Sequence, residues 1–162
     1  MPRITKDEYY RNIALAVAKR STCLRRQYGA VIVKGDNIIA TGYNGSARGE
    51  PNCCDVGECW RQAHNIPHGE QYEKCVAVHA EDNAISQAGR EAIGATLYLA
   101  GLEDGKPIKA EPCLMCERKI KNARIKEVVT REQRGDVLQQ DRSLGDSAGL
   151  LRQAERGVPL SD

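Results

Sequence analysis

The sequence contains no phenylalanine, one tryptophan and six tyrosines, so aromatic residues fill only 4% of its 162 positions. A core built from such a chain rests on Ile, Val, Leu and Ala, and platforms for stacking nucleic-acid bases are scarce. An excess of one charge is also missing. The 24 basic side chains meet 22 acidic ones, a net +2, which is not the balance of a polyanion-binding surface. No apolar run approaches the ~20 residues that cross a bilayer. Met1-Pro2-Arg3 runs straight into a polar helix start, so no secretory leader is expected. Seven cysteines, an odd number, then argue against a disulfide framework and for free thiols and metal ligation in a reducing cytoplasm. The remaining composition, 41% apolar and 28% charged, is that of one globular domain with a real core.

Thr5-Lys6-Asp7-Glu8 reads as a capping box. It opens a helix to about Arg20 with Tyr9, Ile13 and Val17 on the apolar face. Residues 28–33 and 38–42 read as strands joined at Gly35-Asp36-Asn37, a hairpin. The glycine-rich loop from Tyr43 to Gly49 follows, where backbone approaches a ligand closely and Asn44 offers both a donor and an acceptor. Residues 50–78 are irregular, and a connection this long usually carries a function or a staple. Cys54 and Cys59, with Cys23 and Cys75, are candidate ligands of a second, structural zinc. His64 and His68, four apart, are alternative ligands, and buried metal-free thiols are the other reading.

Further on, a helix is expected from His79, with Ala84, Ile85 and Ala88 inward, then a strand over 94–100. A charged loop from Gly101 to Glu111, a helix from Cys113 to about Lys121 and a strand over 125–130 complete the series. This alternation predicts an α/β sheet with parallel members and its motifs at the carboxyl ends of strands. After Thr130 the sequence turns polar, so the domain is expected to span 1–132. The tail, 133–162, has Val137-Leu138 and Leu150-Leu151 as its apolar islands. It is expected to pack loosely or to form a short helix that docks on a neighbouring subunit.

Two short stretches carry the chemistry: His79-Ala80-Glu81 and Pro112-Cys113-Leu114-Met115-Cys116. A lone C-x-x-C fits a redox pair or a structural zinc knuckle as well as a catalytic site. Joined to H-A-E it becomes the H-x-E…P-C-x-x-C signature of zinc deaminases. One imidazole and two thiols suit zinc, and three protein ligands leave one tetrahedral position open for water. Cys113 and Cys116, three apart, share one face of a helix whose N-terminus favours thiolate, and Pro112 suits its start. Glu81, two residues from His79, is better placed to move protons than to ligate the same ion.

Beyond these motifs, Arg20-Ser21-Thr22-Cys23, Gly29-Ala30-Val31-Ile32-Val33, Thr41-Gly42-Tyr43-Asn44-Gly45, His79-Ala80-Glu81-Asp82-Asn83-Ala84-Ile85 and Gly94-Ala95-Thr96-Leu97-Tyr98 together resemble the deoxycytidylate (dCMP) deaminase family. The similarity runs over about residues 5–130. It implies a three-layer α/β/α sandwich on a mixed five-stranded sheet of the cytidine deaminase type. It implies zinc on His79, Cys113 and Cys116, Glu81 as proton shuttle, and Asn44 and the backbone at Ala80 against the nucleotide. The implied reaction takes dCMP to dUMP and ammonia and feeds thymidylate synthesis. The implied assembly is a homo-hexamer with dCTP and dTTP as effectors, and some members carry a structural zinc near the positions of Cys23 and Cys54. A 5′-phosphate needs cationic donors, for which Arg25, Arg26 and Arg48 are candidates. Other substrates compatible with the motif are dCTP, cytidine, a modified cytosine nucleotide or a transfer-RNA adenosine. A zinc-retaining binding protein without catalysis is the non-enzymatic alternative.

Overall fold

The computed structural model describes residues 2–130 and the backbone of 134–136. Helix α1 spans Lys6–Ala18 and begins as its sequence dictates. The Thr5 side chain accepts a hydrogen bond from Glu8 N at 3.2 Å, and Asp7 and Glu8 occupy the positive first turn. Strands β1 (Gln27–Lys34) and β2 (Asn37–Tyr43) form the expected hairpin. Gly35 and Asp36 both have positive φ, +55° and +66°, the two-residue turn whose twist suits a tight hairpin.

After β2 come β3 (Gly45–Ser46), the short helices α2 (Cys53–Val56) and α3 (Trp60–Ala63), and β4 (Ala77–Val78). Helix α4 (Ala80–Ala88), β5 (Thr96–Glu103), β6 (Lys106–Ile108), α5 (Leu114–Asn122), β7 (Glu127–Val129) and β8 (Arg134–Asp136) follow. The main sheet runs in the order β2-β1-β5-β7-β8, with β6 paired to the far end of β5.

Period-two alternation divides the core between two faces. Ala30 and Ile32 of β1 join Leu97 and Leu99 of β5 beneath α4 and α5. Val31 and Val33 join Tyr98 and Ala100 beneath α1. The result is the α/β/α sandwich on a mixed sheet that the family resemblance implied, with β6 added as a sixth strand to the expected five.

Three particulars differ from expectation. The buried stripe of α1 is Tyr10, Ala14 and Ala18, one residue on from Tyr9, Ile13 and Val17. Small residues win there because α1 lies directly on Gly29, where a Cβ would overlap the Ala14 carbonyl and the Ala18 amide. The parallel character rests on β5–β7; the other ladders of the described residues are antiparallel. The charged segment from Gly101 to Glu111 is largely a hairpin, turning at Asp104 and Gly105 with φ of +50° and +72°. Its second strand, Lys106-Pro107-Ile108, has no apolar alternation to betray it, and its proline sits at an edge. Beyond β8 the tail lies outside the described residues.

Gly42 does for α4 what Gly29 does for α1: a Cβ there would overlap the Ala80 carbonyl and the Ala84 amide. Gly29→Ala and Gly42→Ala should each cost about 1–3 kcal/mol by overpacking, read by denaturant unfolding. Only Gly42→Ala should also lower bound zinc in metal analysis, because it displaces the turn that carries His79.

Candidate active site and metal centre

Two helix starts build the site. His79 is the N-cap of α4 and Cys113 the N-cap of α5, both with extended backbone, φ near −74°. Cys116 lies within the first turn of α5, so both thiols stand at the positive end of a helix. The two helices are tied by an ion pair between Lys119 of α5 and Asp82 of α4. A miniature ladder, Gly45 against Val78 and Ser46 against Ala77, fastens the glycine-rich loop to the segment entering His79. That ladder was not foreseen, since two residues carry no periodic signal.

The His79 Nδ1 atom lies 3.4 Å from Cys113 Sγ and 3.3 Å from Cys116 Sγ, and the three donor atoms all fall within 4.8 Å of one another. Zinc bonds of ~2.3 Å to sulfur and ~2.0 Å to nitrogen, at a tetrahedral angle, put N and S roughly 3.5 Å apart. The trio therefore fits one zinc ion in both donor chemistry and spacing. Among the described residues it is the group that converges in this way, and Glu81 is not part of it.

The electrostatics agree. The Cys113 thiol is drawn well below its ordinary range, chiefly by a hydrogen bond from Cys116 and then by His79. Cys116 is pushed up, by donating to Cys113 and by burial. His79 is raised by the Cys113 sulfur beside it. Glu81 is only 5% exposed, and burial raises its carboxyl, while a backbone hydrogen bond and then the His79 charge pull the other way.

Ala80 is fully buried at the start of α4. Asn44 is also buried, and its amide is largely engaged: Oδ1 accepts from Tyr28 N at 2.7 Å and Ser21 Oγ at 2.8 Å, while Nδ2 donates to Arg26 O at 2.9 Å. One Nδ2 hydrogen is left for a ligand. The Arg26 guanidinium is held by Glu103, with Nε at 2.9 Å from Oε1. Arg48 lies exposed in its loop.

The remaining cysteines form a second group. Burial pushes the Cys23 thiol up to about 12, and Cys53, Cys75 and Cys59 add to the shift. Burial likewise raises Cys53, with Cys59 and Cys75 contributing. Cys53 is the buried member of its pair, whereas Cys54 is exposed with its thiol 3.6 Å from Asp55 Oδ1. His64 and His68 are exposed, His64 stacked on Trp60. Two further residues escaped the sequence reading. Tyr72 sets its ring edge-on to His79, centroids 5.0 Å apart, and Arg61 lies 4.4 Å over the Tyr72 ring.

Residues 4–132 match the family model described as the cytidine and deoxycytidylate deaminase zinc-binding region. The chain belongs to this deaminase family. It is 42% identical over 125 residues to the deoxycytidylate deaminase of Schizosaccharomyces pombe, covering 76% of this chain and 36% of that protein. It is 40% identical over 134 residues to the deoxycytidylate deaminase of Mycobacterium phage D29, covering 80% and 96%. The chain thus spans about a third of the length of the fission-yeast relative and nearly all of the phage one. The crystal structure of dCMP deaminase from cyanophage S-TIM5, in complex with dCMP and dUMP, is similar at a TM-score of 0.55 and 25% identity, covering 79% of this chain and 83% of that one. No helix of this family member, among the described residues, is long and apolar enough to cross a membrane.

Ligation demands two thiolates, and Cys116 of the metal-free protein holds its proton. Zinc uptake by the chelated protein at pH 7 should therefore release a proton and weaken as pH falls. Calorimetry in buffers of different ionisation enthalpy measures this; uptake with no proton release would contradict it.

Proposed function

We propose that the chain hydrolyses the exocyclic amine of a cytosine deoxynucleotide, dCMP to dUMP with release of ammonia. The observation that carries this reading is the convergence of His79, Cys113 and Cys116 beside a buried carboxyl that is not itself a ligand. The deoxycytidylate deaminases among the relatives support the choice of substrate. When bound, zinc supplies a Lewis acid that brings the acidity of water from ~15.7 to about 7.

The chain's residues do the rest. Glu81 takes a proton from the water that adds to C4 of the ring and passes it to the ring nitrogen. The carboxylate then takes the second proton, from the hydroxyl now on C4, and gives it to the amine as C4=O forms, the C4–N bond breaks and ammonia leaves. Burial suits Glu81 to both roles, because it holds the proton more tightly than an exposed carboxylate would. The backbone at Ala80 and the remaining Asn44 hydrogen orient the pyrimidine, and α4 resting on Gly42 keeps this turn in place.

Around this centre the proposal extends in three ways. A second, structural zinc is held by Cys23, Cys59 and Cys75 with Cys53 or Cys54, since the Cys53 thiol acts electrostatically on or with the other three. The enzyme acts in the cytoplasm, a setting that suits seven unpaired cysteines. It acts as a homo-oligomer, a hexamer under dCTP and dTTP control, as the family resemblance implies.

A panel of dCMP, dCTP, deoxycytidine, cytidine and an RNA hairpin, assayed for ammonia with and without dCTP and dTTP, should give turnover highest on dCMP. Turnover on none of them, or on RNA alone, would overturn the reading. Glu81→Gln should keep its zinc and fold yet lose activity by on the order of 10²–10⁴-fold or more. Metal analysis should find two zinc ions per chain, and one would refute the structural site.

A further inference from the structure

The first turn of α4 sends three consecutive side chains to three different neighbours, because successive residues on a helix diverge by ~100°. Glu81 is buried beside the metal trio. Asp82 pairs with Lys119 of α5. Asn83 turns to the sheet, and its Nδ2 donates to the Tyr43 carbonyl at 2.8 Å. Neither the metal trio nor the proton transfer uses this third residue. Asparagine is also a poor helix former, because its amide competes with the backbone for hydrogen bonds. Propensity does not account for its place here.

The group that Asn83 holds does. Strand β2 is the edge of the main sheet, so its peptide groups face β1 and the outside alternately. Helix α4 takes two of the outward groups. Asn83 binds the Tyr43 carbonyl, and Gln87, one turn on, accepts from the Thr41 amide at 3.1 Å. The Tyr43 carbonyl belongs to the same peptide unit as the Asn44 amide, which donates to the Tyr28 carbonyl of β1 at 3.2 Å. One planar unit is therefore held from both sides, by α4 and by β1. Each bond polarises the peptide in favour of the other.

This peptide fixes where Asn44 leaves the sheet. The Asn44 side chain is buried, and Ser21, the Arg26 carbonyl and the Tyr28 amide set its orientation, leaving one hydrogen for a ligand. Those partners belong to β1 or to the segment entering it, not to the helix that carries Glu81. The β3–β4 ladder fastens the loop beyond Asn44. Before it, the bare Cα of Gly42 lets α4 come close, and the directional bond from Asn83 decides where helix and strand stand along that contact.

We propose that Asn83 is a positioning residue: through the Tyr43–Asn44 peptide it sets the Asn44 amide at a fixed place relative to the Glu81 carboxyl, so that a bound ring is oriented for proton transfer. This rests on the deaminase reading above. Asn83 acts through Asn44 and does not itself touch the substrate. Freed from α4, the loop still offers the Asn44 hydrogen to a ligand, but no longer in register with Glu81. The loss therefore falls on kcat rather than on KM.

The test compares zinc-loaded wild type, Asn83→Ala, Asn83→Asp and Gln87→Ala with dCMP as substrate. Asn83→Asp keeps the shape, removes the donor and adds an acid near a helix N-terminus, which favours the helix. In both Asn83 variants kcat should fall roughly 10–10²-fold while KM stays within about threefold of wild type. Both should keep their zinc, and Asn83→Asp should keep its unfolding midpoint. Gln87→Ala, which frees the Thr41 amide instead, should keep the wild-type kcat. Unchanged kcat in both Asn83 variants, an equal fall in Gln87→Ala, or a fall that comes with lost zinc overturns the assignment and leaves the deaminase reading standing. A wild type that releases no ammonia from dCMP overturns that reading, and hydrogen exchange then decides for Asn83. Protection of the Asn44 backbone amide should drop in zinc-loaded Asn83→Ala and not in Gln87→Ala. An Asn44 amide as protected in Asn83→Ala as in wild type refutes the proposal.

Discussion

Two helix N-termini approach each other closely enough for one imidazole nitrogen and two sulfurs to fit the coordination sphere of a single ion, and the rest of the molecule serves that approach. Helix α4 is seated by the bare Cα of Gly42 beneath its first turn. Helix α5 enters from the β5–β6 hairpin and returns to the sheet as β7, parallel to β5. The Lys119–Asp82 pair closes the gap between the helices. The chain spends small residues where backbone must meet backbone, Gly29 and Gly42 against alanine-rich helices. This also explains how a protein without phenylalanine fills its interior: close approach replaces bulk.

The same arrangement sets the chemistry. Helix ends and mutual hydrogen bonding draw a proton from one thiol and hold it on the other until a cation arrives. Next to them, burial raises the Glu81 carboxyl above its ordinary range. On the far side of Tyr72 from His79 lies the Arg61 guanidinium, over the tyrosine ring.

The convergence of His79, Cys113 and Cys116 was legible because these residues lie in two compact motifs at helix starts, where spacing converts directly into a shared face. The strands and the first hairpin were legible from alternation and a Gly-Asp turn. Other features were hidden for physical reasons. The α1 stripe shifts by one residue because contact at Gly29 favours Ala14 and Ala18 over larger neighbours. Strand β6 reads as loop, its pattern broken by Pro107. Cys53 is buried and the adjacent Cys54 exposed, a difference that no spacing rule makes. Arg61 and Tyr72 sit in an irregular segment with no period to read, and only the packed structure brings them to His79.

The most direct check on the central claim is an anomalous-scattering map, recorded at the zinc edge from crystals of the purified protein. The account predicts a peak bonded to His79 Nδ1, Cys113 Sγ and Cys116 Sγ, with a fourth position taken by a non-protein oxygen and the Glu81 carboxyl beside it. A map with no peak among those three atoms, or with a protein side chain filling the fourth position, would contradict it.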